Sequence, residues 1–355
     1  MSEKIVKEDI ASIAKALGKD VERFAGKTIL ISGGAGFLGK YLVGVLAYLN
    51  DHVLKTPCRV ISVDNFITGT QHPHFDYSHR EDILNVWGDV SQPLPVREDI
   101  HFIVHAAGLA SPVYYKKYPL ETIESAISGV KNLLELGKKN KGLEGFLFFS
   151  SSEIYGDPDP KAIPTPETYH GYVSSVGPRA CYDESKRLGE TIATIYEEQF
   201  DMPTRIVRPF NVFGPGMGHL DHRVIPMFTY QALNKKPISV HGDGAQTRTF
   251  CYITDAMTGF LQVLLKGKNG EAYNIGNSSN EIAMHDLAKL FTEIVPGASM
   301  KMIPYPDTYP AGEPLRRCPD LTKAVTDLSY AYQVDLKSGL DRFVAWARKE
   351  PGYID

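Results

Sequence analysis

The chain has 355 residues, 43% of them apolar and 23% charged, with a formal net charge of −4. That length suits one large domain or two modest ones, and the intermixed charges exclude the basic footprint of a nucleic-acid binder. No apolar run is long enough to cross a bilayer, and four scattered cysteines without a CxxC pair argue against a disulfide framework or a zinc motif.

From the N-terminus, Ile5, Ile10, Ile13, Leu17, Val21 and Phe24 recur at helical spacing, which predicts one or two short helices in an extension over residues 1–25. The segment has no apolar secretory core, so a cytoplasmic, reducing setting is expected. "KTILISG" then reads as a buried strand and "GAGFLGKYLVGVLAYL" as a helix. "CRVISVDN", "DIHFIVHAAG" and "LEGFLFFSSS" read as further buried strands, with helical segments such as "ETIESAISGVKNLLELGKKN" between them. Apolar strands alternating with helices predict an α/β fold with a doubly wound parallel sheet over residues 26–205. Beyond about residue 205 the chain is rich in Gly, Pro and aromatics, and such loops more often cover sites than build sheets. Residues 206–355 are therefore expected to form mainly a smaller substrate-binding lobe, with some chain returning to the sheet.

The first strand runs into Gly33, Gly34, Gly36 and Gly39 and then a helix. Glycines at that junction let the backbone close on a pyrophosphate, and the helix start offers free N–H groups. This is the arrangement of a Rossmann-type dinucleotide site. Asp64 ends the second strand, where a carboxylate accepts from ribose hydroxyls and repels a 2′-phosphate, so NAD is expected rather than NADP. The candidate cofactor set is Gly33, Gly36, Phe37 and Leu38, then Asp64 and Asn65, Asp89 and Val90, and Ala106 and Ala107 of "HAAG". Asp89 and "HAAG" read equally well as site or as plain structure.

Tyr182 and Lys186 stand four apart on a predicted helix and share one face. A free tyrosine has a pKa of about 10. A lysine ammonium and a cationic nicotinamide nearby are expected to bring the phenol toward neutrality.

Taken together, "GGAGFLG", "DN", "HAAG", Ser151-Ser152-Glu153 before "IYG", the Tyr182–Lys186 pair and "RPFNVFGP" resemble the extended short-chain dehydrogenase/reductase family, which acts on nucleotide sugars. The resemblance covers about residues 27–348. It implies tightly held NAD, Tyr182 as base, Lys186 on the nicotinamide ribose, Ser151 on the sugar 4-hydroxyl, and a homodimer through a helix pair that includes the Tyr182 helix. Within that family, Ser151-Ser152-Glu153 and "GPRACYDESKR" are most similar to the UDP-glucuronate decarboxylases. That likeness implies decarboxylation through a 4-keto sugar, with Glu153 and Arg317 (of "RRCPD") handling the uronate. It further implies substrate contacts from Ser111, Pro112 and Tyr115 of "GLASPVYYKKYP", and from Asn211, Arg223, Arg248 and Tyr252.

Other readings stay open at this stage. They are a nucleotide-sugar 4-epimerase, a 4,6-dehydratase, or a non-catalytic NAD(H)-binding regulator; Glu153 could also simply cap its own loop. The spacing of His219, Asp221 and His222 fits no common ligand motif, so no metal is assigned. Ala126 stands where the family often has an asparagine, so the proton-relay or helix-kink role of that residue is expected to be absent.

Overall fold

The computed structural model describes residues 2–70, 72–305 and 314–355. Its centre is a seven-stranded sheet made of β1 (Thr28–Ser32), β2 (Arg59–Asp64), β3 (Ile83–Trp87), β4 (Phe102–His105), β5 (Gly145–Phe149), β6 (Thr204–Pro209) and β7 (Ala272–Ile275). The order is β7-β6-β5-β4-β1-β2-β3, and every pairing is parallel.

Alternate residues of the strands enter separate cores. Ile29, Ile31, Leu147 and Phe149 pack on one side, and Leu30, Ile103, Phe146 and Phe148 on the other. A strand buried on both faces must be apolar at every position, which is why these segments lack a polar alternation. The strand order reverses between β1 and β4, and ligands bind at the carboxyl ends beside such a switch point.

The helices that position the site are α1 (Ser2–Leu17), α2 (Phe37–His52), α3 (Ala180–Phe200), α4 (Ile253–Lys266) and α5 (Leu336–Ala347). The N-terminal segment is well buried: α1 packs on α2 and α4, and Ile13 and Phe24 are fully enclosed. Asp9 of α1 is 2% exposed and holds two elements, accepting from the Tyr252 hydroxyl at 2.7 Å and from Arg342 Nη2 at 2.7 Å.

Two expectations change here. The Gly- and Pro-rich stretches after residue 205 contain short strands: Thr247–Thr249 pairs antiparallel with Glu281–Ala283 and parallel with Arg316–Arg317, and Ile238–His241 pairs with Met300–Ile303. The predicted helix through Ala126 is broken at Ile127 even without an asparagine, into Pro119–Ala126 and Ser128–Lys138. His105 Nε2 donates to the Ser125 carbonyl at 2.9 Å beside that break, and its Nδ1 contacts the Ser32 hydroxyl at 2.7 Å. Burial takes His105 down to about 3, so the ring is neutral and holds both contacts.

Candidate active site

At the end of β1 the chain turns into α2 with little room for side chains. Gly33 has φ +76°, and a Cβ there would lie 2.7 Å from the Ala107 backbone. A Cβ on Gly39 would lie 2.0 Å from the Gly33 carbonyl oxygen, so α2 can close on the turn only with glycine at that position. Gly36 precedes α2 and supplies no side-chain cap, which leaves the first N–H groups of the helix to an anion.

The turn opens on a cavity of about 230 Å³. Gly33, Gly36, Asp64, Asn65, Asp89, Val90, Ala106 and Ala107 all line it. Asp64 Oδ2 accepts from the Ala35 N–H at 2.9 Å and Oδ1 from the Phe66 N–H at 2.7 Å. Each oxygen keeps lone-pair capacity for a further hydroxyl. Asp89 is engaged with Asn65 Nδ2 at 3.2 Å and the Ser91 N–H at 2.8 Å. A glycine cradle, a free helix start and an acceptor carboxylate fit a dinucleotide with free ribose hydroxyls.

A second cavity, of about 460 Å³, adjoins the first at Ala106 and Gly108. Phe37 and Leu38 border this one instead of the first. Tyr182 and Lys186 of α3 enter it from the sheet side, both buried. Tyr115 stacks on the Tyr182 ring at 5.4 Å between centroids and 19° between planes. The Ser151 hydroxyl lines the same cavity and acts on the Tyr182 phenol, lowering its pKa. Lys186 Nζ donates to the Phe149 carbonyl at 2.7 Å, at the end of β5.

In the protein without a cofactor, burial sets the electrostatics of this pair. Burial dominates at Tyr182 and pushes the phenol up to about 12; the Ser151 hydrogen bond lowers it, while the charges of Glu153 and Asp183 raise it further. Lys186 Nζ lies 5.9 Å from the centre of the Tyr182 ring while donating to the Phe149 carbonyl. Burial brings Lys186 itself down to about 8. The protein alone therefore keeps the phenol protonated at neutral pH.

Glu153 follows β5 in a tight turn, Ser152–Tyr155, whose cap is the Ser151 hydroxyl accepting from the Glu153 N–H at 3.2 Å. The capping task thus falls to Ser151, and the Glu153 carboxylate is turned outward to guanidiniums. Arg317 binds it with both ends of its fork, Nη1 to Oε1 at 2.5 Å and Nη2 to Oε2 at 2.8 Å. Arg179 Nη2 also donates to Oε2. Burial opposes the charge, but Arg317 and then Arg179 outweigh it and hold the carboxyl down to about 2. Arg179 also reaches Asp183, Nε to Oδ2 at 3.3 Å. Burial raises Asp183 to about 7, with the Glu153 charge adding to it. Arg317 Nε is buried with no hydrogen-bond partner among the described residues.

Of the remaining candidates, Pro112, Tyr115, Asn211, Arg223 and Arg248 line the cavity. Asn211 is anchored through Nδ2 to the Thr249 carbonyl at 2.9 Å, and Arg223 donates from Nε to Asp221 at 2.9 Å. Ser111 precedes the short helix Pro112–Lys117 without a side-chain cap, does not line the cavity, and its buried hydroxyl has no partner among the described residues. Tyr252 is a correction. Its hydroxyl is spent on Asp9 and its ring packs on Phe213, so it faces the N-terminal helix and offers nothing to a substrate.

The sequence profile of the NAD dependent epimerase/dehydratase family matches residues 29–276. The chain belongs to the NAD dependent epimerase/dehydratase family. It is 37% identical over 320 residues to UDP-glucuronic acid decarboxylase 2 of Arabidopsis thaliana, covering 90% of this chain and 68% of that protein. Among solved structures it resembles an epimerase from Methanothermobacter thermautotrophicus, with a TM-score of 0.81, 27% identity and coverage of 94% and 95% of the two chains. It also resembles the dTDP-glucose 4,6-dehydratase of Streptomyces venezuelae solved with NAD bound, with a TM-score of 0.79, 25% identity and coverage of 92% and 99%.

The residue missed in the sequence of this epimerase/dehydratase family member is Arg179. It lies three positions before Tyr182, at the residue preceding α3. One helical turn separates the two, so both side chains reach the same cavity. That spacing was the available clue, but an arginine at a helix start more often reads as a surface charge.

Proposed function

We propose that the protein decarboxylates UDP-glucuronate to UDP-xylose. One observation carries the reading: Glu153, gripped by Arg317 and Arg179, shares one cavity with the Tyr182 and Ser151 hydroxyls. The names of the relatives, and a Ser-Ser-Glu turn in place of an Asp-Glu one, favour decarboxylation over dehydration.

Gly33, Gly36 and the start of α2 would hold the pyrophosphate of NAD, with Asp64 on its adenosine ribose. Bound there, NAD would supply a reversible two-electron oxidation at the sugar's C4, converting a uronate into a β-keto acid and back-reducing the product. Tyr182 accepts the proton of the 4-hydroxyl, and Ser151 orients that hydroxyl through their shared hydrogen bond. Lys186, fastened to Phe149, keeps two ammonium protons for ribose hydroxyls. In the β-keto acid, the C5–C6 bond breaks, CO2 leaves, and its electron pair passes into an enolate on the C4 oxygen. The Ser151 and Tyr182 hydroxyls then donate to that oxygen, where negative charge develops. C5 takes up a proton to give the 4-keto pentose, and return of the hydride to C4, with Tyr182 giving its proton back to the 4-oxygen, would complete UDP-xylose.

Because Glu153 is held ionised, it acts by orienting Arg317 and Arg179 and not as a proton donor. Arg317 presents its unpartnered Nε–H, and the cluster as a whole is suited to a uronate carboxylate. Arg248 and Arg223 are assigned to the diphosphate. The test is incubation of the protein with UDP-glucuronate, following nucleotide-sugar mass and released CO2. Loss of CO2 without net consumption of NAD is expected. No mass change there, with epimerisation or dehydration of another nucleotide sugar, sinks the reading.

We also assign a homodimer built on α3. Leu188 and Ile195 lie seven positions apart on α3 and are 45% and 39% exposed, and Leu120 on a neighbouring helix is 71% exposed. An apolar stripe of this kind suits a helix-pair interface. The four cysteines are free thiols. Among the described residues no helix is long and apolar enough to cross a membrane.

A further inference from the structure

Away from the catalytic cavity, three side chains with metal-binding atoms converge from distant parts of the chain. His72 Nε2 lies 2.9 Å from Glu350 Oε2, and His74 Nε2 lies 2.9 Å from Glu350 Oε1. The three ligand atoms all fall within 4.8 Å of one another. The two imidazoles are 18% and 19% exposed and the carboxylate 5%. We propose that His72, His74 and Glu350 form a structural binding site for a zinc-class dication.

The local geometry prepares these atoms. His72 and His74 flank Pro73 in a tight turn, and the His74 N–H donates to His72 Nδ1 at 3.3 Å. That contact turns His72 Nε2 toward Glu350. The His72 ring also lies against Trp346, at 6.1 Å and 30°, and meets Phe75 edge-on at 5.8 Å. Apolar walls on the imidazole restrict its rotation and reduce competing hydration.

Two imidazole nitrogens and a carboxylate oxygen make a three-ligand set suited to zinc, with a fourth position for water. Ligands about 2.1 Å from a tetrahedral ion stand about 3.4 Å apart. The 2.9 Å contacts, one to each Glu350 oxygen, would open by about half an ångström, and the set as a whole already lies within 4.8 Å. Calcium and magnesium are disfavoured because they require mostly oxygen ligands. The Ser2 hydroxyl, 2.9 Å from His74 Nε2, lies close enough to hold a metal-bound water. A dication here would join the N-terminal helix, the 72–75 turn and the C-terminal end of the chain. That turn continues from Thr68 and Gly69, which line the first cavity. The spacing of the two histidines alone did not reveal the site, because Glu350 is 276 residues from His74.

The test uses the full chain, stripped with a chelator and titrated with zinc chloride by calorimetry and thermal unfolding. One zinc per chain is expected, with a melting temperature raised by a few degrees at about 100-fold excess over Kd. His74→Gln and Glu350→Gln should each lower zinc affinity at least about 10-fold. A wild-type measurement covers the case in which those variants misfold. In a Trp87→Phe background Trp346 is the single tryptophan, and cobalt(II) should quench it and show a tetrahedral ligand-field spectrum. No binding, binding equal in the variants, or cobalt that leaves Trp346 unquenched overturns the proposal.

Discussion

Arg317 and Arg248 are register partners on adjacent parallel strands, Arg316–Arg317 and Thr247–Thr249. Paired positions project to the same side, so both guanidiniums line the cavity that holds Tyr182. Both side chains are buried, and both lower the pKa of Glu153. The short strands of the lobe therefore do what a loop could not: they hold two like charges side by side against a carboxylate.

Glu153→Gln should abolish CO2 release from UDP-glucuronate by at least about 100-fold while leaving NAD affinity within about twofold. The amide keeps the shape but cannot accept from both arginines as a bidentate anion. Single-turnover mass spectrometry and a fluorescence titration with NAD separate the two effects. Equal loss of both would assign Glu153 to folding alone.

Tyr182→Phe should reduce turnover about 1,000-fold with the fold intact, since the ring retains its stack on Tyr115. In the wild type, the phenol without ligand stands near 12, so almost no phenolate is present at neutral pH. The rate should rise about tenfold per pH unit until the bound-state pKa is reached. That bound-state value should lie well below the one found by tyrosinate absorbance in the protein without NAD. Identical values in both states would remove the cofactor's cationic ring as the tuning charge.

Tyr252→Phe should leave KM for the nucleotide sugar unchanged and cost about 1 kcal/mol of stability, the usual worth of one buried hydrogen bond. The readout is chemical denaturation beside steady-state kinetics. A raised KM would return Tyr252 to the substrate wall.

Burial raises Asp9 to about 6. Its unfolded value is about 3.9. Between those values the folded state keeps a proton that the unfolded state has released. Stability from this group is therefore lost as pH rises through that window, by up to about 3 kcal/mol. Asp9→Asn should flatten this slope in denaturation series taken at about pH 4 and about pH 6.5. An unchanged slope would place the titration elsewhere.

Leu188→Glu with Ile195→Glu should convert a dimer to monomer in sedimentation without unfolding the chain, because both side chains are exposed in the single chain. A wild type that sediments as a monomer would sink the α3 interface.

Elements whose determinants are local could be read directly. Strands β1, β2, β4 and β5 carry runs of apolar residues, and the Gly33–Gly39 turn and the Tyr182–Lys186 pair depend on spacing within one or two turns of chain; the edge strand β3, with Leu84, Asn85 and Trp87 exposed, lacks that signal. The neutral His105 and the break at Ile127 were less legible, because their contacts run between strand, helix and backbone carbonyl.

By itself the sequence determined the doubly wound sheet, the dinucleotide turn and the helical face that carries Tyr182, since each follows from side-chain period or backbone sterics over short range. Tertiary structure alone decided that Glu153 meets Arg317 from 164 residues away and shares Arg179, and that Tyr252 turns to Asp9. It also decided that burial is the largest influence on the phenol. Charge interaction and desolvation depend on distance and enclosure in space, which the order of residues along a chain does not specify.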